Sequence, residues 1–125
     1  METCEPLYEI QDEEAVAQVC ENLPDASVIE HLADFYKVMG DQTRLKLLLA
    51  LEKHELCVSD LSTVAGLSRS AISHQLKALK SAKLIKSRKD GKAVYYSLDD
   101  EHIHSVIKVA LAHILEDHHE HMHSA

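Results

Sequence analysis

The chain has 125 residues, 46% of them apolar and 27% charged, and a formal net charge of −8, a composition typical of a single globular domain. Its densest apolar run, LKLLLALE, is far shorter than the roughly 18–20 residues that cross a bilayer, which excludes a membrane-spanning protein. The acidic start METCEPLYEIQDEE lacks a secretion-signal pattern, and three widely spaced cysteines form no disulfide framework, so we expect a cytoplasmic protein.

The charge is unevenly distributed along the chain. Residues 1–34 contain ten acidic residues and no Lys or Arg. Residues 66–96 contain eight basic residues against Asp90 as the one acid. Because the field near a protein surface is set by charges within about 10 Å, this basic segment is suited to contact with nucleic-acid phosphates in spite of the net negative charge.

Three helices are predicted in the first half of the chain. Residues 12–22, DEEAVAQVCEN, are helical in character and end before Pro24. Ser27 and Glu30 form a capping-box pattern, which predicts a helix that opens at Ser27 and runs to about Met39. Asp41 is suited to cap the next helix, whose apolar face is formed by Leu45, Leu47, Leu48, Leu49 and Leu51.

The middle of the chain has the pattern of a helix-turn-helix. A short helix is predicted over about 57–65, followed by Gly66 and then by Ser68 as N-cap of the segment RSAISHQLKALKSA. Two helices joined by a turn of three or four residues with Gly are typical of this motif. The second helix has an apolar stripe with helical spacing, formed by Ile72, Leu76 and Leu79.

A basic hairpin follows directly. In LIKSRKDGKAVYYSL two β-rich segments flank Asp90-Gly91, a dipeptide favoured in the type I′ turn of a tight hairpin. A helix-turn-helix with such a hairpin predicts a winged helix, a fold that is mainly α with a small β-hairpin. The residues expected to contact DNA are Ser68, Arg69, Ser70, Ser73, His74, Gln75 and Lys77 of the helix and Arg88, Lys89 and Lys92 of the wing.

A last helix is predicted from about Asp99–Asp100 to Asp117, and the spacing of its histidines bears on whether they can bind a metal ion. His102 and His113 point within roughly 20° of each other but lie about 16 Å apart along the axis. Zinc holds nitrogen ligands at about 2.0–2.1 Å, so one helix cannot place both on one ion. Two antiparallel copies can, and Val106, Val109 and Ala110 between the histidines suit burial against a second chain.

The resulting site would combine Asp100 and His102 of one chain with His113 and Glu116 of the other. Two imidazoles and two carboxylates suit tetrahedral zinc, with cobalt as a substitute. The alternative is that these are solvated polar residues on a dimerisation helix, and the spacing alone favours neither interpretation.

Two further groups of metal-binding residues are present. Cys57 precedes Asp60 by three residues, as expected for one helical face, and with Cys4 they form a candidate second site for zinc, cadmium or lead; the alternative is a small buried cysteine. Residues 119–123, HEHMH, match the zinc-protease pattern His-Glu-x-x-His, which needs a rigid helix, a third ligand and a cleft. We interpret residues 118–125 as a flexible His-rich tail without a catalytic role.

Residues 27–117 resemble the ArsR–SmtB family of metal-sensing repressors, in the segments DQTRLKLLLAL, ELCVSDL, LSRSAISHQLKALKSAKLIKSRKDGKAVYYSL and DDEHIHSVIKVALAHILE. The resemblance implies a dimeric winged-helix protein that binds its operator without metal and leaves it when metal binds. Asp100, His102, His113 and Glu116 match the family's zinc-site pattern, Asp-x-His and then His-x-x-Glu. The cadmium- and lead-sensing branch has Cys-x-Cys where this chain has Cys57 and Ser59, so zinc is the expected effector.

The sequence therefore predicts a metal-responsive repressor, not an enzyme, that acts as a homodimer on an inverted-repeat operator. Its expected parts are an acidic arm with the first helix at 1–24, a DNA-binding and dimerisation domain at 25–117, and the tail at 118–125. Two alternatives stay open: a thiol-based sensor of cadmium, lead, arsenic or redox state that uses Cys4, Cys20 and Cys57, and a small zinc enzyme that uses the tail.

Overall fold

The computed structural model describes the chain from residue 5 to residue 124, and its side chains to residue 116. It divides into two compact units, Met1–Lys37 and Val38–Ala125. In the first unit, α1 (Glu13–Asn22) is capped by Asp12, whose side chain accepts a hydrogen bond from the Ala15 N–H at 3.0 Å. The helix predicted over 12–22 is thereby confirmed.

The start of α2 (Ala26–Met39) differs from the predicted capping box. The Asp25 carbonyl accepts hydrogen bonds from the N–H groups of Val28 and Ile29, so the helix begins before Ser27, and Ser27 lies within its first turn. The prediction was wrong because the pair Ser27 and Glu30 imitates a capping box within the first turn of a helix that opens just after Pro24 and Asp25. The predicted end at Met39 is confirmed.

The core of the second unit is built on α3 (Gln42–Lys53). Asp41 caps this helix as predicted, with its side chain 3.0 Å from the Arg44 N–H. Leu45 does not belong to the buried face, since 38% of its surface is exposed. The fully or nearly fully buried side chains of this unit come from every helix of the winged helix and from the sheet, among them Leu47, Leu48, Leu51, Leu61, Ile72, Leu76, Leu79, Leu84, Leu98, Ile103 and Ile107.

The helix-turn-helix consists of α4 (Val58–Ala65) and α5 (Arg69–Ser81). Gly66 ends α4 in the left-handed region at φ +69°, and its N–H donates to the Ser62 carbonyl at 2.8 Å, which is the geometry that favours glycine after a helix. Ser68 caps α5, accepting from the Ala71 N–H at 3.2 Å. The three-residue turn and the cap are as predicted, and Ile72, Leu76 and Leu79 are buried.

Three antiparallel strands form the sheet in the order β1 (Leu56–Cys57), β3 (Ala93–Leu98), β2 (Ile85–Asp90). The sequence predicted two strands and missed β1, which pairs with β3 through Leu56–Tyr96 and Cys57–Tyr95. The predicted turn type is also wrong. Asp90 pairs with Ala93, so the central residues are Gly91 and Lys92, and of these two Gly91 has a positive φ, +65°, the pattern of a type II′ turn.

The last helix, α6 (Glu101–Ser124), starts where it was predicted but is longer. It continues past its predicted end at Asp117 as backbone helix to Ser124. Neither Gly nor Pro occurs after Gly91 to stop it. Within the described part of the chain, no helix is both long and apolar enough to cross a membrane.

Candidate nucleic-acid interface and metal site

The exposed side of α5 has the residues that the sequence predicted. Because Ile72, Leu76 and Leu79 point into the core, the opposite side of this helix is left to solvent. The exposed side chains at its start and along this side are Ser68, Arg69, Ser70, Ser73, His74 and Lys77. They supply two permanent positive charges and several hydrogen-bond donors and acceptors, which are the groups that phosphates and base edges bind.

Gln75 differs from these neighbours because its side chain is engaged within the protein. It is half-buried, and its Oε1 accepts a hydrogen bond from Arg44 Nε at 2.9 Å. This bond joins α3 to α5 across 31 residues of sequence. Bidentate pairing with adenine uses the side-chain oxygen of Gln as acceptor, and in this arrangement that oxygen already accepts a hydrogen bond from Arg44.

The wing has two kinds of basic side chain. Lys89 and Lys92 are exposed, whereas Lys80 at the end of α5 donates to Ser87 Oγ in β2 at 2.8 Å. Arg88 is bound within the protein by Glu55, from the connection between α3 and β1. Lys89 and Lys92 are therefore two exposed cations near the tip of the wing.

The pair of Arg88 and Glu55 has two-point geometry. Arg88 Nε lies 3.0 Å and 2.9 Å from the two carboxylate oxygens, and Nη2 lies 2.6 Å from Oε1. These hydrogen bonds hold the pKa of the Glu55 carboxyl below its usual range and raise the pKa of the Arg88 guanidinium. The role of Glu55 could not be predicted from the sequence, because Glu55 and Arg88 are 33 positions apart.

At the start of α6, the two carboxylate oxygens of Asp100 have different neighbours. Oδ1 accepts the Ile103 N–H at 3.1 Å and so caps the helix. Oδ2 lies 3.6 Å from His102 Nδ1. The hydrogen bond from the Ile103 N–H lowers the pKa of Asp100, with a smaller contribution from His102. A carboxylate that stays ionised beside an exposed imidazole is one half of an oxygen and nitrogen donor set for zinc.

The other predicted ligands lie three turns further along α6. His113 and Glu116 are both exposed, and at a separation of three they share one face of the helix. Among the residues with described side chains, no three His, Cys, Asp or Glu of one chain come close enough to hold a metal ion. One protomer therefore presents two separate pairs of donors, and the donor types of each pair fit zinc.

The candidate second site is less well defined. Cys57 closes β1 and occupies the N-cap position of α4, and Asp60 lies in the first turn of that helix. Cys57 is half-buried and Asp60 is exposed. Cys4 lies outside the described residues, as do the side chains of the His-Glu-x-x-His match at 119–123.

An apolar groove of about 190 Å³ lies beside α6. Its walls come from the end of α2, from α3 and from α6, and are formed by Met39, Leu45, Leu49, Ile107, Ala110, Leu111 and Ile114. On the same helix Val109, Ile114 and Leu115 expose between 57% and 69% of their surface. Apolar surface of this helix is therefore exposed beside the predicted ligands His113 and Glu116.

Comparisons with known proteins agree with this architecture. Residues 41–87 match the family described as bacterial regulatory protein, arsR family. The chain is 39% identical over 103 residues to a transcriptional repressor SmtB homolog of Synechocystis, covering 82% of this chain and 78% of that one. It is 41% identical over 83 residues to a cadmium resistance transcriptional regulatory protein CadC homolog of Staphylococcus aureus, covering 66% and 69%.

Solved structures are similar over most of the chain. A homodimeric winged helix-turn-helix DNA-binding domain from Mycobacterium bovis superimposes with a TM-score of 0.70 at 26% identity, covering 80% of this chain and 94% of that one. NolR from Sinorhizobium fredii superimposes with a TM-score of 0.63 at 28% identity, covering 86% and 96%. The chain therefore belongs to the ArsR/SmtB family of metal-responsive, winged helix-turn-helix transcriptional repressors.

Proposed function

We propose that the metal-free homodimer binds an inverted-repeat operator and that zinc binding between the two α6 helices causes its release. In this proposal the exposed side of α5 enters the major groove, while Lys89 and Lys92 of the wing contact the backbone. The two-fold symmetry of the dimer would match that of the operator. Homodimer formation is supported by the M. bovis neighbour, which is homodimeric, and by the exposed apolar surface of α6.

The observation that carries the zinc proposal is the separation of the donor pairs. Asp100 and His102 are at the first turn of α6, and His113 and Glu116 lie about 16 Å further along it. Neither pair is a complete zinc site, which needs four ligands. An antiparallel second helix would bring His113 and Glu116 of the partner subunit to Asp100 and His102, and would complete two equivalent sites.

In the proposed switch, these side chains join the two helices and favour a dimer geometry in which the two α5 helices no longer fit successive half-sites. The coupling must be reciprocal: if zinc weakens DNA binding, DNA weakens zinc binding by the same factor. Because imidazole binds metal in its neutral form, zinc binding and the release of DNA should depend on pH.

The test is a titration of DNA binding, measured by fluorescence anisotropy with a duplex selected from a random pool by the metal-free protein. Zinc should weaken binding of the wild type by at least about tenfold, and cadmium, lead and cobalt are compared in parallel. His102→Ala and His113→Ala should bind the duplex normally and lose the zinc response. His104→Ala is the matched control on the same helix, and it should respond. Zinc-induced release from both site variants would refute the proposal.

A thiol-based response is a second candidate, supported by the surroundings of Cys57. Its side chain lines a cavity of about 290 Å³ together with Arg69 of α5 and Lys92 of the wing. A metal or an oxidised sulfur at Cys57 would therefore lie between the two proposed DNA-contacting elements. Cys57→Ser distinguishes the candidates, since a response that survives this change does not depend on the thiol.

A further inference from the structure

The Arg88 side chain of the wing contacts three other residues of the protein, Glu55, Asp90 and Tyr95. Its guanidinium makes the two-point ion pair with Glu55, with three donor–acceptor distances between 2.6 and 3.0 Å. Its Cζ also lies 5.0 Å from the centre of the Tyr95 ring, and Nη1 lies 3.8 Å from Asp90. One side chain therefore connects both strands of the wing with the segment that follows α3.

The position of Tyr95 explains why these contacts meet. Tyr95 pairs with Arg88 across the hairpin and with Cys57 on its other side, so it occupies the middle of one row across the three strands. Cross-strand partners project from the same face of a sheet. The Tyr95 ring therefore supports the guanidinium from β3, while Glu55, which directly precedes β1, holds it from the edge.

We propose that Arg88 is a positioning residue that fixes the wing against the α3–β1 connection, and that it does not contact DNA phosphate. This inference rests on the proposed DNA-binding function and removes one residue from its predicted contacts. Exposed ion pairs are commonly weak because solvent screens them. A guanidinium that binds a carboxylate at two points, with an aromatic ring 5.0 Å from its Cζ, has the geometry in which an exposed ion pair contributes most.

The negative charge of Glu55 is a second reason to expect that Arg88 does not contact DNA phosphate. If Arg88 bound a phosphate, the Glu55 carboxylate would either lose its hydrogen bonds or be drawn within a few ångströms of the DNA backbone. The first outcome leaves a half-buried carboxylate without its donor, and the second places two negative charges side by side. Lys89 has no such constraint, since alternation along β2 places it on the opposite face of the wing.

The experiment compares how DNA affinity depends on salt in matched variants. Each phosphate contact contributes about 0.9 to the slope of log affinity against log salt concentration. Arg88→Ala, Arg88→Lys and Glu55→Gln should each weaken binding of the selected duplex by about three- to tenfold with an unchanged slope. The double variant Arg88→Ala/Glu55→Gln should bind no more weakly than either single variant, because both changes break the same ion pair. Lys89→Ala is the control that should flatten the slope by about 0.9.

Glu55→Gln is the decisive variant, because it removes a negative charge near the wing. If Arg88 contacts phosphate, this change should leave DNA binding unchanged or tighten it. Unchanged or tighter binding by Glu55→Gln would overturn the proposal. So would a slope flattened by about 0.9 in Arg88→Ala, or wild-type binding by Arg88→Lys.

A measurement without DNA separates this inference from the proposed function. Amide hydrogen exchange across 87–95 should be faster in Glu55→Gln than in the wild type, because the wing loses its attachment. Unchanged exchange would overturn the inference. If the wild type bound no selected duplex, the proposed function would fail while the exchange measurement still tested Arg88.

Discussion

The proposed intersubunit zinc site predicts that two inactive variants restore a site when they are mixed. His102→Ala removes a ligand from the start of α6, and His113→Ala removes one from three turns further along. Each homodimer then has two incomplete sites. In a mixed dimer both losses fall on the same site, so the other site keeps Asp100, His102, His113 and Glu116 intact.

The size of the recovery follows from the geometry. Because a rise of 1.5 Å per residue places the two histidines about 16 Å apart, no chain can complete a site alone. Random exchange of subunits makes about half of the dimers mixed, each with one intact site of two. The mixture should therefore recover about one quarter of the wild-type sites, with wild-type affinity.

Cobalt provides the assay, since it replaces zinc in tetrahedral sites and absorbs visible light there. Each variant alone should give no such absorption under conditions that saturate the wild type, and the equilibrated mixture should give about a quarter of the wild-type signal. Mixing His102→Ala with the double variant His102→Ala/His113→Ala is the matched control and should recover nothing. Full cobalt binding by either variant alone, or no recovery on mixing, would refute the intersubunit arrangement.

Further predictions concern stability and charge. Ser68→Ala should lower the free energy of unfolding by about 1 kcal/mol, because α5 loses its cap. Ser68→Asp should keep the cap yet weaken DNA binding about tenfold, since it adds negative charge at the proposed interface; urea melts and anisotropy check both. Lys83→Gly should stabilise the protein by about 0.5–1 kcal/mol in urea melts, because Lys83 has φ +60°, a left-handed conformation that costs most residues about 1–2 kcal/mol. The lowered pKa of Glu55 stabilises the folded state above the unfolded Glu pKa of about 4.3, and this contribution is lost as the pH falls through the lower folded pKa; the stability difference between wild type and Glu55→Gln, measured from pH 6 to pH 3, should shrink accordingly.

Features that depend on neighbours within three or four residues could be predicted from the sequence. The side chains of Asp41 and Ser68 cap their helices by accepting a hydrogen bond from the N–H group three residues later. The apolar stripe of α5 repeats with the helical period. The capping box at Ser27 shows the limit of this reasoning. The same pattern of residue types also fits the first turn of a helix that has already begun, and the position of the first hydrogen bond decides between the two.

Features that depend on distant residues could not be predicted. The strand β1 is two residues long and exists because Leu56 and Cys57 pair with β3, some 40 positions away. The bonds from Arg44 to Gln75 and from Arg88 to Glu55 likewise join residues more than 30 positions apart. Both bonds involve a residue that was predicted to contact DNA, Gln75 or Arg88. The sequence identified the amide and the charge, but not the residue that each one binds within the protein.

The end of α5 and the start of α6 are connected through Leu84, which bears on how a change at one helix can reach the other. The Leu84 N–H donates to the Leu79 carbonyl in the last turn of α5, and its carbonyl accepts from the Asp99 N–H, each at 3.0 Å. Leu84 itself is fully buried. Asp99 directly precedes Asp100, the cap of α6 and a proposed zinc ligand. In the proposed switch, a displacement of the first turn of α6 would act on the end of α5 through these two backbone hydrogen bonds, because the closely packed surroundings of Leu84 cannot absorb it.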